Sequence, residues 1–342
     1  MNDLDQRLID VLREATKTPG LELDGEPRRL TGGFWAELLA FRLLEAPDGW
    51  GGELVARVMP DPGIAAKESA IQAEVAAQGF PTPAVHLAGG PDDGLGRAFM
   101  VMDLADGALM LDGLGGAHAI AALPTLARRL PTALGESMAA LHRLDVAPVR
   151  ARLATLDASG PAVDVGGYLA RLHAGAAALG RRDLASAARW LEANPPPPEP
   201  DVVCHGDLHP FNLLVDDEGS VTVLDWSAAL LAPAAYDVAF TSLLLSEPPL
   251  AVPRPLAPLT RSAGRLLARR FRRAYVSALG RDVDPVSLRW HEGVVCLRAL
   301  VEVAHWAGAG ELDLHRGHPW LIAGPAFAGR LHRLTGTAVR PR

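Results

Sequence analysis

The stretch His205-Gly206-Asp207-Leu208-His209-Pro210-Phe211-Asn212 decides how this chain is read. After it come an apolar run to Val215, the turn Asp216-Asp217-Glu218-Gly219, a second run from Ser220 to Leu224, and then Asp225-Trp226. Both runs have the length of short strands and the Asp/Gly cluster between them is turn chemistry, so together they predict a hairpin. A hairpin folds Asp225 back toward Asn212, where the first strand begins. Moving a phosphoryl group asks little covalent chemistry of a protein. It needs a carboxylate to orient or accept the proton of the attacking hydroxyl, and hard oxygen ligands for Mg2+ on the phosphates. Asp207 supplies the first, Asn212 and Asp225 supply the second, and Asp207 and Asn212 stand in a D-x-x-x-x-N spacing suited to it. Each alone reads as a turn residue. Three residue types, two spacings and a hairpin that agree do not.

Outward from this stretch the sequence divides in two. Ala- and Leu-rich helical segments fill the larger part, at about 131–144, 166–179, 182–194, 257–278, 287–308 and 323–334. Val202-Val203 is the one further strand signal there, and Pro195 to Pro198 form a stiff connector. The greasiest run, Leu230 to Leu245, contains Pro233 and Asp237 and reads as buried core. The N-terminal part starts with a helix on Leu4, Leu8, Val11, Leu12 and Ala15 that Pro19-Gly20 ends. Strand-like segments follow at 28–30, 38–44, 53–59, 85–87 and 98–102, with one helix at about 64–78. The expectation is an α+β fold. Residues 1–103 form a five-stranded antiparallel sheet with one inserted helix, and residues 104–342 form a mainly helical lobe.

His205 to Asn212, Leu224-Asp225-Trp226 and Tyr236-Asp237-Val238-Ala239 together resemble the aminoglycoside phosphotransferase and choline kinase family of small-molecule kinases. The resemblance runs over nearly the whole chain. It implies a bilobal protein-kinase-like fold, with ATP or GTP held between the lobes together with Mg2+. It also implies transfer of the γ-phosphate to a hydroxyl of a small-molecule acceptor held by the helical lobe. Carried onto this sequence, it makes Asp207 the catalytic base, Asn212 and Asp225 the metal ligands, and Asp237 a carboxylate that braces the loop. Met102-Asp103-Leu104 falls at the crossing where the family meets the adenine edge with backbone groups.

The phosphate grip falls in the first lobe. Thr31-Gly32-Gly33 between two strands would let backbone amides approach phosphates. Glu68 shares a helical stripe with Ile64, Ile71 and Val75, and a carboxylate on an apolar face needs a cationic partner. The family supplies a strand lysine. Here the strand reads Leu54-Val55-Ala56-Arg57-Val58, and Arg57 takes that place, with a fork that can serve carboxylate and phosphate together. Lys17 and Lys67 are the only lysines in the chain, and Lys67, next to Glu68, cannot share its face.

Two other readings stand beside this one. A nucleotide-binding pseudokinase would bind and not transfer. A metal-dependent hydrolase would use His205, Asp207 and His209 as ligands, but it leaves Asn212 and Asp225 without a task. The plainer role for His205 is to orient the loop. A protein kinase is disfavoured, because Trp226-Ser227 follows Asp225.

Charge bears on the acceptor. Residues 251–342 hold 15 Arg against 6 Asp and Glu, a balance of +9 in a chain of net −7, so residues 1–250 carry −16. A polycationic acceptor would call for carboxylates, and the basic C-terminal part points to a less charged one. Glu302, four residues after Arg298, reads as half of a surface pair. Trp290, Trp306, Trp320 and His142 read as core, and the Arg265 to Arg273 stretch as a solvated amphipathic helix. An acidic chain argues against nucleic acid as a partner, and no apolar run reaches membrane-spanning length. Two cysteines without framework spacing and a start without a secretory pattern lead to the expectation of a cytoplasmic protein, with its oligomeric state open.

Overall fold

The structure, a computed structural model, describes residues 3–30, 36–111, 116–157, 160–247 and 257–341. In chain order the first elements are α1 (Asp3–Thr16), β1 (Glu22–Leu23), β2 (Arg28–Leu30), β3 (Glu37–Leu44), β4 (Glu53–Met59), α2 (Pro62–Ala77), β5 (Val85–Gly89), β6 (Ala98–Asp103) and β7 (Ala108–Leu109). Then come α3 (Gly116–Leu141), α4 (Val146–Leu153), α5 (Val165–Ala178), α6 (Arg182–Ala193), β8 (Asp201–Cys204), β9 (Leu213–Val215), β10 (Val221–Val223) and β11 (Leu230–Pro233). Among the described residues four helices follow: α7 (Ala235–Ser246), α8 (Ala257–Leu279), α9 (Pro285–Ala309) and α10 (Pro319–Thr335). They pack as two compact units. The first comprises Met1–Met110, Ala147–Pro161 and Asn212–Ala229, and the second Leu111–Val146, Ala162–Phe211 and Leu230–Arg342.

In the first unit the strands pair antiparallel in the order β1-β3-β4-β6-β5, with β2 also on β3. Alternation along β3 and β4 buries Leu39, Phe41, Leu54, Ala56 and Val58, which meet Leu8, Ile9 and Leu12 of α1 in one apolar cluster. α2 lies on β5 and β6. Its start is capped by Asp61, whose carboxylate accepts from the Ile64 amide at 2.9 Å, and Pro62 opens the first turn. The β9–β10 hairpin belongs to this unit, pairs with β7, and is anchored by Trp226. The Trp226 ring is fully buried edge-on to Phe80 at 5.7 Å, and its Nε1 donates to Thr82 Oγ1 at 2.9 Å.

In the second unit α3 packs along α8, α7 on α8 and α9, and α9 on α10. A Cβ on Gly135 of α3 would stand 2.7 Å from the Tyr275 backbone nitrogen of α8, so glycine is what lets these two helices touch backbone to backbone. The interior helix is α9, which buries residues nearly all round, from Ser287 to Trp306. The short pair β8–β11 runs antiparallel beside these helices and leads into the Asp207 loop.

The expected α+β class and antiparallel sheet are observed, with corrections in detail. Among the described residues the sheet has six strands, not five, because Glu22–Leu23 pairs with Leu44 and Leu43 of β3 over a length too short to show a period. Leu230 to Leu245 is core, as expected, but it divides into β11 and nearly all of α7. A run apolar on every side has no periodicity to tell strand from helix. Trp290, Trp306 and Trp320 are all buried, as expected. Among the described residues no helix is long and apolar enough to cross a membrane.

Candidate active site

The first unit gathers three of the expected residues. Glu68 stands on the inner face of α2, fully buried, and Arg57 stands mid-strand on β4 with its side chain 13% exposed. Arg57 Nη2 lies 3.3 Å from Glu68 Oε1 and 3.4 Å from Asp225 Oδ1, so one guanidinium bridges two carboxylates. The expected cationic partner of Glu68 is therefore Arg57. Burial pushes the Glu68 carboxyl up from its ordinary 4.5 to about 7; Arg57 opposes that rise and the Asp225 charge adds to it.

A raised carboxyl means that, between about pH 4.5 and 7, the folded chain keeps a proton that the unfolded chain has lost. Stability then falls as pH rises through that window, by about 3 kcal/mol, and levels off above it. Urea unfolding across this range should show the fall in the native protein and lose it in Glu68→Gln. Parallel profiles for the two proteins would refute the assignment.

Asp225 follows β10 with φ 63°, in the left-handed region that few residues other than glycine adopt. Its side chain is 38% exposed. Oδ1 accepts from Ser227 Oγ at 2.7 Å and from the Ser227 amide at 3.3 Å, and Oδ2 enters none of these contacts. The Leu224 amide donates to the Asn212 carbonyl at 2.9 Å, so the hairpin sets Asp225 one residue past the register partner of Asn212. Met102 and Asp103 end β6. The Asp103 amide donates to Ala84 and the Leu104 amide to Glu53, so the backbone donors of those two residues are already engaged. Gly32 and Gly33 lie outside the described residues.

The second unit holds Asp207. β8 ends at Cys204, and Gly206 takes φ 74° to turn the chain. Asp237, in the first turn of α7 and fully buried, accepts from the His205 amide at 2.8 Å and the Gly206 amide at 2.7 Å. The same carboxylate lies 3.3 Å from Nε2 of the buried His142, whose Nδ1 is 2.9 Å from the Tyr275 hydroxyl. The bracing expected of Asp237 is thus visible, and His142 is a core histidine within it. His205 is buried, and its Nδ1 accepts from the Asp207 amide at 3.3 Å, an orienting contact.

The Asp207 carboxylate is 27% exposed and flanked on both oxygens. Oδ1 lies 3.3 Å from Arg298 Nη2, and Oδ2 lies 3.4 Å from His209 Nε2. Burial by itself would raise this carboxyl, but the His209 hydrogen bond and the Arg298 charge outweigh it and hold the group well below the usual carboxylate range. Asp207 is an anion at any working pH.

Arg298 corrects an expectation. It does not pair with Glu302 on a surface. It reaches inward from α9, donates from Nη1 to the Gly206 carbonyl at 2.6 Å, and lies over the rings of Phe240 and Trp320 at 5.4 and 5.7 Å. The i, i+4 spacing hid this. The available signal was that Val294 to Ala304 is apolar apart from Arg298 and Glu302, so the helix carrying them had to be interior. The hydrolase reading loses its ligand set too. Among the described residues the His/Cys/acid group close enough to share an ion is the buried His142, Cys204 and Asp237, not His205, Asp207 and His209.

The antiparallel sheet and helices, with this loop and hairpin, form a kinase-like fold. Residues 37–287 match the model of the APH phosphotransferase enzyme family, and the chain belongs to that family. No curated protein matches it in sequence. Among solved structures it is similar to a protein from Ralstonia eutropha assigned as an aminoglycoside phosphotransferase, with TM-score 0.65, 18% identity and 98% of each chain covered. It is also similar to the aminoglycoside phosphotransferase APH(4)-Ia in ternary complex with AMP-PNP and hygromycin B, with TM-score 0.58, 17% identity, and 96% of this chain and 98% of that one covered. A third is APH(2")-IIia in complex with GDP and kanamycin, with TM-score 0.56, 18% identity, and 95% of this chain and 98% of that one covered.

Proposed function

We propose that the chain moves the γ-phosphoryl group of ATP or GTP onto a hydroxyl of a small molecule, with Asp207 as the catalytic base. The observation that carries this reading is Asp207 itself: an anion, partly exposed, on a loop tied down by the buried Asp237. Such a carboxylate is set to orient an acceptor hydroxyl and take its proton as the phosphoryl group arrives. Nucleotide-bound relatives of this fold support a nucleotide co-substrate and leave ATP and GTP both open. In this reading residues 1–103 grip the nucleotide, with Arg57, Gly32 and Gly33 on the phosphates and Met102, Asp103 and Leu104 along the base. Residues 104–342 carry the catalytic loop and the acceptor. Two buried free thiols, Cys204 and Cys296, suit work in a reducing cytoplasm.

Mg2+ fits the residues present. An amide oxygen from Asn212 and a carboxylate oxygen from Asp225 are hard donors, and the Oδ2 of Asp225, which among the described residues enters none of the contacts made by Oδ1, is the natural one to offer. The ion would neutralise phosphate charge there. Asp225→Asn should raise the Mg2+ concentration needed for half-maximal transfer by roughly 10-fold or more, consistent with the loss of a charged ligand. An unchanged Mg2+ titration would remove Asp225 from the metal site.

One observation favours a second reading. Arg57 is engaged with Asp225, the residue assigned to the metal. If that contact persisted with nucleotide bound, the protein would be a nucleotide-binding pseudokinase. Transfer of labelled γ-phosphate to a panel of hydroxylated acceptors under Mg2+ tests both. A labelled acceptor supports the phosphotransferase; binding of nucleotide without transfer supports the pseudokinase.

A further inference from the structure

Asp207 does not face its acceptor as a lone negative charge. Arg298 lies 3.3 Å from one of its oxygens, and Arg298 cannot swing away easily. Its Nη1 is bonded to the Gly206 carbonyl at 2.6 Å and its guanidinium lies against Phe240 and Trp320, both buried. The Arg298 and Asp207 side chains are 17% and 27% exposed, so the pair is open to solvent. An acceptor hydroxyl has to come within hydrogen-bond reach of the Asp207 carboxylate. Any substituent on a neighbouring carbon then comes close to this fixed cation. An ammonium there gains little from a carboxylate already paired, and is repelled by the guanidinium.

The accessible groups around the pair carry the same message. Tyr168 of α5 is half-buried and lies in the combined field of Arg298, Glu302 and Asp207. His318, ahead of α10, also feels Asp207 and Arg298, and burial together with the neighbouring His315 lowers it to about 4, so it is neutral at pH 7. Asp237 is fully buried and spent on backbone amides, and offers nothing to a ligand. Among the described residues around Asp207 that leaves the Tyr168 phenol, the His209 and His318 imidazoles, Arg298 and one further carboxylate, Glu302. These are partners for hydroxyl groups, not for several ammonium groups.

We propose that Arg298 is a specificity-determining residue, and that the acceptor of Asp207 is an uncharged polyhydroxyl compound, a sugar or glycoside, with no ammonium beside the reacting hydroxyl. This rests on the phosphotransferase reading, but its test does not require transfer. Calorimetric titration without nucleotide compares two probes: kanamycin as the polycation and raffinose as the neutral oligosaccharide. Native protein should bind raffinose more tightly than kanamycin. Arg298→Gln should move that ratio at least 10-fold toward kanamycin, and Arg298→Lys, which keeps the charge, should hold it near the native value. Tighter kanamycin binding by the native protein overturns the proposal. So does a ratio that Arg298→Gln leaves unchanged, or the absence of binding of either probe to the native chain. If Arg298→Gln does not fold, the native and Arg298→Lys titrations still decide. Failure of phosphate transfer with these binding results intact would count against the phosphotransferase reading alone.

Discussion

Asp207→Ala is expected to lower phosphoryl transfer by roughly 10²–10⁴-fold, the usual contribution of a positioned general base. Nucleotide affinity should change little, because the residues assigned to the nucleotide are others. The structure says why the drop should be in turnover. Asp207 is held below the usual carboxylate range by His209 and Arg298 against the pull of burial, so it is always ready to accept a hydrogen bond and never a strong base. In the proposed role its work would be mostly orientation, with proton transfer late in the reaction. No inflection from Asp207 should appear in the rate between pH 5 and 9. Steady-state kinetics on the native protein and the variant check both points. An alanine variant that keeps more than a tenth of native turnover would take the catalytic role from Asp207.

Asp237→Ala should be the most destabilising single change among the residues that hold the Asp207 loop, by about 3–5 kcal/mol, the range found when one partner of a buried charged network is removed. The carboxylate satisfies two buried amides, at His205 and Gly206, and touches His142. Alanine would leave those donors without an acceptor, each at about 1–3 kcal/mol. Asp237→Asn keeps the shape and one oxygen, so a smaller loss is expected. Urea unfolding of the three proteins measures the series. A loss below about 1 kcal/mol for the alanine variant would mean that water or a neighbour can replace the carboxylate.

The loop and hairpin were legible because their chemistry is local. His205 to Asn212, the Asp216–Gly219 turn and Asp225 lie within a short span, and strand length with turn residues suffices to fold them. Glu68 was legible for a related reason, since a carboxylate on the buried stripe of α2 announces a missing cation. Arg298 was not, because its partner is 91 residues away and the sequence offered a nearer one at Glu302. The two-residue strands β1 and β7 left no pattern at all, since their pairing is set by neighbours and not by their own side chains. The division of Leu230 to Leu245 into strand and helix was hidden by burial on every side.

The most direct test of the central claim is to incubate the native protein with Mg2+ and γ-labelled ATP or GTP, over a panel weighted toward neutral sugars and glycosides, and to follow where the label goes. The account predicts label in a phosphate ester of an acceptor hydroxyl, lost in Asp207→Ala. Bound nucleotide with label remaining on the nucleotide, or appearing only as inorganic phosphate with every acceptor, would contradict it.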